Sequence, residues 1–457
     1  MRRTLPVCAF LLGFPLMASA APPKLPPIVV RMTVQPKAAP KPALKYQLLP
    51  ELREMNPGNP IQGYLKCFME QNHFFVDKKV MADREKWRAM PLSDLPLKEM
   101  QYYCTNAGLR QADYAARLDN PDWQILLKLK SDGIYLLLPD AQKLRALADA
   151  LQIRFRVEIA ERRFADAIAT AKTMLALARH FNEHPTAIGD LVGIAIGTIA
   201  LTRLDEMIEQ PGCPNFFWAL TDLPSPFIDL HKGLQGDRTL IIAELSGLDE
   251  EEPMTDAKLR KIVDRLQKDI NGPKEPEGAV RAWFESKAKD KEYVQAARKR
   301  LIEASAPADA TKYDSFPPLQ ILLLYAKLDY ETVRDEGMKA LALPYWQARK
   351  VLDSIPPIPV EKRTPLITPF MIGHTNVKRA QARLDQRIAL LRCVEALRIY
   401  AAENAGKLPA KLDDIPLPLP VDPATGKSFT YKVDGKTAHL HGEPLGVEVR
   451  YEVTIGK

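Results

Sequence analysis

The sequence predicts a mainly α protein: an irregular multi-helix bundle followed by a small C-terminal α+β module. Through most of residues 46 to 372, apolar residues recur at steps of three and four, which is the spacing of one buried helix face. From about residue 428 onward, short segments alternate apolar and polar residues, as half-buried strands do. We therefore expect helices along most of the chain and a small sheet at its end.

The first 20 residues have the pattern of a secretory signal peptide. Arg2 and Arg3 precede an apolar run, and Ala18-Ser19-Ala20 is a small-x-small cleavage site. The run is about a dozen residues long, against roughly 20 needed to cross a bilayer, so we expect it to be removed. The mature protein is then periplasmic or extracellular, without a transmembrane segment.

Residues 21 to 45 are predicted to form a disordered, extended tether. They contain seven prolines, five basic residues and no acid. The formal net charge is +7, and removal of Arg2 and Arg3 leaves a surplus that the tether alone supplies. The balanced remainder argues against a nucleic-acid partner, which needs a basic face. The tether could contact an anionic envelope polymer, or simply provide solubility and reach.

The helical domain is expected to span residues 46 to 372. A break at residues 161 to 163 separates two amphipathic helices, so these should pack as a hairpin. Their apolar stripes are Leu144, Leu147, Leu151, Phe155 and Ile159, and then Phe164, Ile168, Ala171, Leu175, Ala178 and Phe181. The segment from Asp190 to Leu201 is the most apolar part of the mature chain, but it is too short to span a bilayer. We interpret it as the central buried helix.

Two segments of this domain lack helical patterns. Phe216 to Phe227 combines aromatic residues with Pro224 and Pro226, so it could form a binding wall or close the end of the bundle. Residues 246 to 278 are acidic and polar, and we expect a mobile surface loop there.

Residues 373 to 457 are predicted to form a separate module of one long helix and a three-stranded antiparallel meander. Asn404-Ala405-Gly406 provides a left-handed helix cap, and Asp434-Gly435 favours a tight hairpin turn. Arg379, Arg383 and Arg387 line one face of the helix, which we expect to be solvated.

The mature cysteines are far apart in the sequence, without any C-x-x-C pair, which argues against a cysteine zinc site. Cys67 and Cys104 both lie in the first folded region. An oxidising compartment permits a disulfide between them, although the sequence leaves its connectivity open.

His180-x-x-Glu183-His184 has the ligand spacing of an inverted zinc-peptidase motif. Pro185 disfavours helical geometry at His184, so the two rings should lose register. His180 lies roughly 140° from Leu175 on a helical wheel, which predicts a solvent-facing ring. We therefore expect helix-capping or surface histidines, and keep a zinc-dependent hydrolase using His180, Glu183 and His184 as the alternative.

The helical body resembles a family of secreted, helix-rich proteins from environmental bacteria that has no assigned reaction. The resemblance covers about residues 100 to 352 and rests on four stretches, LRQADYAARLDNPDW, ERRFADAIATAKTMLALARHFNEHPTAIGDLVGIAI, NFFWALTDLPSPFIDL and FPPLQILLLYAKLDYETVRDEGMKALALPYWQA. It implies a shared helical fold and export.

About residues 388 to 442 are similar to the region after the long helix of type II secretion major pseudopilins. This resemblance implies a helix that leads into a small sheet, but the apolar assembly helix of that family is missing. Its residues are Ala396, Tyr400, Gly406, Pro409, Leu412, Pro420, Asp422-Pro423, Gly426, Phe429 and Tyr431.

The sequence names no reaction, and we assign no catalytic, cofactor-binding or metal-binding residue from it. We expect a noncatalytic secreted or envelope-associated protein that binds an unknown protein or envelope polymer. The second alternative to this function is an accessory of a secretion or pilus-like system that works through the C-terminal module.

Overall fold

The computed structural model describes residues 26–69, 71–133, 136–270, 278–355, 363–366 and 374–456. The predicted signal peptide lies outside these residues. Two compact units are present. Among the described residues, the larger unit comprises 26–123, 138–233 and 377–456, and the smaller unit comprises 124–137 and 234–376. The predicted helical domain of residues 46 to 372 is therefore divided between the two units.

The chain is about 60% helical, which confirms the mainly α prediction. In chain order the α-helices are α1 (Pro60–Lys66), α2 (Asn72–Val76), α3 (Lys78–Ala89), α4 (Leu97–Met100), α5 (Tyr102–Thr105), α6 (Ala107–Ala115), α7 (Leu126–Asp132), α8 (Pro139–Ala160), α9 (Phe164–His180), α10 (Ala187–Ile208), α11 (Phe217–Thr221), α12 (His231–Asp237), α13 (Leu240–Glu244), α14 (Asp256–Ile270), α15 (Ala279–Lys289), α16 (Lys291–Ala304), α17 (Pro318–Met338), α18 (Tyr345–Ser354) and α19 (His374–Glu403). Short 3-10 helices span Leu52–Glu54, Leu92–Asp94, Phe181–Glu183, Pro307–Ser315 and Leu412–Asp414.

The core of the larger unit is built from α8, α9 and α10, which pack against one another. The predicted hairpin between α8 and α9 is present, and its turn places Arg162 at a φ of +57°. Gly193 of α10 lies against α9, where an added Cβ would come within 2.9 Å of the Ala178 carbonyl oxygen. The glycine therefore permits the close approach of these two helices.

Helix α10 is the one helix among the described residues that is long and apolar enough to cross a membrane. Most of its apolar window, 67%, is buried inside the protein. Such burial is ordinary for the core helix of a globular unit, as its sequence predicts.

The sheet differs from the predicted three-stranded meander. Strands β2 (Thr430–Asp434), β3 (Thr437–His441) and β4 (Val449–Ile455) form the expected antiparallel part. A fourth strand, β1 (Ile28–Val34), pairs in parallel with β4, so the sheet is mixed and has the order β1-β4-β3-β2. Its sequence IVVRMTV is a good strand former inside the segment predicted as a disordered tether.

Residues 377 to 457 belong to the larger unit and do not form the separate module that we predicted. Helix α19 ends as expected, with Ala405 and Gly406 at positive φ and a 2.8 Å hydrogen bond from Gly406 N to Ala401 O. The predicted solvated arginine face is wrong at Arg387, which forms an ion pair with the buried Asp205 of α10.

The smaller unit has its own apolar core, to which α14 to α17 contribute Leu266, Phe284, Leu301 and Leu322, among others. Part of the predicted acidic loop is instead helix α14, while residues 271–277 of that loop lie outside the described residues. The segment before α14 is fixed by Gln320, whose side chain donates to Asp249 O and Glu252 O at 2.8 Å and accepts from Met254 N.

The four described cysteines, Cys67, Cys104, Cys213 and Cys393, are all free thiols, so the Cys67–Cys104 disulfide is not formed. Burial raises the pKa of the Cys67 and Cys393 thiols to about 12, which makes them unreactive. Cys104 is partly exposed.

Candidate functional site

The three residues of the zinc-like motif occupy three different environments. Helix α9 ends at His180, Glu183 closes the following 3-10 turn, and His184 has extended backbone angles before Pro185. The predicted loss of helical register between the two histidines is therefore present. His180 is not solvent-facing as predicted, because Tyr64 of α1 covers it and its OH lies 3.0 Å from His180 Nδ1.

Each group of this motif already has a partner. The Nδ1 atom of His184 lies 2.9 Å from Thr186 Oγ1, and Glu183 forms an ion pair of 2.6 Å with Lys232. Burial lowers the pKa of both His180 and His184 to about 4, so both rings are neutral near pH 7. Among the described residues, no three or more His, Cys, Asp or Glu side chains converge as a metal site. The motif does not fit zinc.

His184 is instead part of a packed aromatic cluster. Trp123 contacts its ring edge to face at a centroid distance of 4.5 Å, and Phe181 lies 6.1 Å away. Gly189 of α10 lies on the other side, where an added Cβ would come within 2.2 Å of His184 Nδ1. The buried imidazole fills space between the end of α9 and the beginning of α10.

A second group of polar residues converges on the loop that follows α11. Arg179 Nη1 donates to Phe227 O at 2.7 Å, and Phe227 N donates to Asp385 Oδ1 at 2.9 Å. Gln381 Nε2 donates to Ile228 O at 2.6 Å and accepts from Lys378 Nζ at 2.7 Å. We call Arg179, Lys378, Gln381 and Asp385 the loop clamp.

The loop clamp contains the most perturbed lysine and carboxyl pair on α19. Burial raises the pKa of Asp385 to about 7, against the opposing effects of the Phe227 N–H and the Lys378 charge. Burial also lowers the pKa of Lys378, which Asp385 and Asp229 partly oppose. Such pairs occur at catalytic sites, but they also occur in structural networks. Here the polar atoms are directed at backbone groups that a non-helical segment would otherwise leave unsatisfied.

The aromatic segment is closed by a buried ion pair on α19. Glu395 and Arg398 are 0% and 1% exposed and lie 2.8 Å apart. Glu395 Oε2 accepts from Phe216 N, while the Arg398 guanidinium donates to Cys213 O and Pro214 O. Phe216 itself is fully buried. This part of the segment therefore closes the core and does not form an exposed wall.

Asp422, in the stretch similar to pseudopilins, organises the turn before β2. Its Oδ1 accepts from Ala424 N and Gln386 Nε2, and its Oδ2 accepts from Glu443 N, all between 2.8 and 2.9 Å. Three donors stabilise this buried carboxylate, so its role is to fix the backbone.

The loop clamp was missed in the sequence, although a signal was present. Lys378, Gln381 and Asp385 follow the i, i+3, i+7 spacing of one helix face, directly beside the apolar stripe of α19. A polar row adjoining a buried stripe indicates a buried network and can be read from sequence. Its target, the backbone at Phe227 and Ile228, is more than 140 residues away and cannot.

No family model, curated protein or solved structure matches this chain in comparisons. The two resemblances drawn from the sequence therefore stay predictions, and function has to be argued from the residues alone.

Proposed function

We propose that this is an exported, noncatalytic protein that associates with the envelope by binding an anionic lipid surface through its smaller unit. The observation that carries the proposal is an apolar surface on α7 and α13, which we call the leucine surface. Its members are Leu126, Leu127, Leu137 and Ile242, which are 57%, 83%, 68% and 55% exposed.

The exposed side chains project from a firmly packed base. Helices α7 and α13 contact each other, with Leu129 of α7 1% exposed. Gly133, at a φ of +52°, lies so close to α13 that an added Cβ would be 3.0 Å from Leu240 O. Since Leu129 and Gly133 provide the packing, Leu126 and Leu127 are not needed for the core of the unit.

The charges beside the leucine surface favour anionic lipid as its partner. Lys128 and Lys130 are exposed on α7 and alternate with the leucines. A lysine near an anionic membrane contributes about 1 kcal/mol, and full burial of a leucine side chain about 1.5–3 kcal/mol. Shallow insertion of Leu126 and Leu127 with two flanking lysines therefore supplies enough free energy for reversible membrane binding.

The test is flotation of the mature protein with vesicles of phosphatidylglycerol and phosphatidylcholine. We expect binding to the anionic vesicles that weakens with salt, and little binding to phosphatidylcholine alone. The L126S/L127S double variant should lose binding, whereas Leu52→Ser, at a leucine that is 91% exposed in the larger unit, should not. Equal flotation of all three proteins would refute the proposal, and so would a protein partner that is captured through Leu126 and Leu127 without any lipid binding.

A further inference from the structure

Three aromatic side chains meet on neighbouring helices of the smaller unit. Trp283 of α15 and Tyr293 of α16 have centroids 6.0 Å apart and planes at 88°, and Tyr293 and Tyr325 of α17 are 6.2 Å apart at 86°. The three helices pack against one another. All three rings are partly exposed, whereas their neighbours Phe284 and Val294 are buried.

A cation already lies over this group of rings. Lys287, one turn after Trp283 on α15, places its Nζ 4.4 Å from the centroid of Tyr293. The electron-rich face of an aromatic ring attracts an ammonium group at this distance. Lys287 is itself partly exposed, so its long side chain can leave the ring without opening the apolar core.

A carboxylate lies beside the same rings. Asp329 follows Tyr325 by one turn of α17 and raises the pKa of both Tyr293 and Tyr325. Burial raises the pKa of Asp329, while Thr364 and Arg300 partly oppose this effect. Its Oδ2 atom is buried, and no described residue donates to it a hydrogen bond of normal geometry. A buried carboxylate oxygen without a donor is costly unless a cation or donor reaches it.

We propose that Trp283, Tyr293, Tyr325 and Asp329 form a binding site for a small alkylated ammonium ion, with Lys287 as its intramolecular competitor. Mutually perpendicular rings present several faces to one cation, and methyl groups on the nitrogen are well accommodated by aromatic surfaces. The carboxylate supplies the opposite charge. This site is independent of the leucine surface, and each can fail without the other.

The experiment is calorimetric titration of the full mature protein with choline and with 3,3-dimethyl-1-butanol, its uncharged isostere. We expect choline to bind and the isostere not to, because only the former has a charge for the ring faces. Phosphatidylcholine vesicles form a second arm, which distinguishes a lipid headgroup from a free ammonium ion. Equal binding of choline and its isostere would overturn the proposal, as would no binding of choline.

Variants make the test specific. Tyr293→Phe keeps the ring face and should retain binding, whereas Tyr293→Leu should weaken it by about fivefold or more. Lys287→Ala removes the competitor and should strengthen binding by about threefold or more, while Lys289→Ala, an equal loss of charge on the same helix, should have a smaller effect. If Lys287→Ala and Lys289→Ala change affinity equally, the lysine acts only through net charge and is not the competitor.

Discussion

The Asp385 carboxylate of α19 accepts a hydrogen bond of 2.9 Å from the backbone N–H of Phe227, 158 residues earlier in the chain. This bond connects the last long helix of the larger unit to the proline-rich loop after α11. Arg179 holds the carbonyl group of the same Phe227. One residue of an irregular loop is thus held at both of its backbone polar groups by side chains from two helices.

The raised pKa of Asp385 predicts a pH dependence of stability. Between about pH 4 and pH 7 this carboxyl is protonated in the folded state and ionised in the unfolded chain, so the folded state binds more protons and stability falls as pH rises. The shift corresponds to at most about 4 kcal/mol. Asp385→Asn should remove this slope in urea denaturation measured from pH 4 to pH 7. Asp335→Asn is the control, since the pKa of Asp335 is lowered by Arg334 and its removal changes the slope in the opposite direction.

Gly189→Ala should destabilise the larger unit. The new methyl group would overlap the His184 ring at the packed junction of α9 and α10, a cost of about 1–3 kcal/mol. Gly337 provides the matched control, because it lies in α17 with no heavy atom within 4 Å of an added Cβ. Gly337→Ala should therefore raise stability by about 0.5–1 kcal/mol. The prediction fails if thermal melts of the two variants shift in the same direction.

Breaking the buried Glu395–Arg398 pair should be among the most damaging single changes in the larger unit. Glu395→Gln leaves the Arg398 guanidinium buried among carbonyl groups without its counter-charge, a loss of about 3 kcal/mol. Its effect can be read from the midpoint of urea denaturation. Removing Glu448, which pairs with the half-exposed Arg450 on the sheet, should change that midpoint little. Comparable losses in the two variants would contradict the assigned role of Arg398.

Thiol labelling tests the absence of the Cys67–Cys104 disulfide. Cys67, Cys213 and Cys393 are buried and Cys104 is partly exposed, so the native mature protein should react at one thiol, and slowly, because burial also raises the pKa of Cys104. Four thiols should react after denaturation without reductant. Two reactive thiols in the denatured protein would show that a disulfide forms.

Local signals predicted the elements that local interactions determine. The α8–α9 hairpin, the left-handed end of α19 and the β2–β3 turn all follow from residues within a few positions of the feature. The strand at Ile28–Val34 was missed because its proline- and lysine-rich surroundings dominate the composition and its partner β4 lies more than 400 residues later. His180 was placed wrongly because a helical wheel accounts only for the core stripe of α9 and not for Tyr64, which packs from α1.

The parallel pairing of Ile28–Val34 with Val449–Ile455 has a consequence for biogenesis. The strand made almost first can acquire its neighbour only after the ribosome has finished the chain, so the larger unit cannot complete its sheet during synthesis. A polypeptide of this design stays incomplete until its last residues emerge. That delay suits passage through a translocation channel as an unfolded thread, with closure of the sheet left to the far side of the membrane.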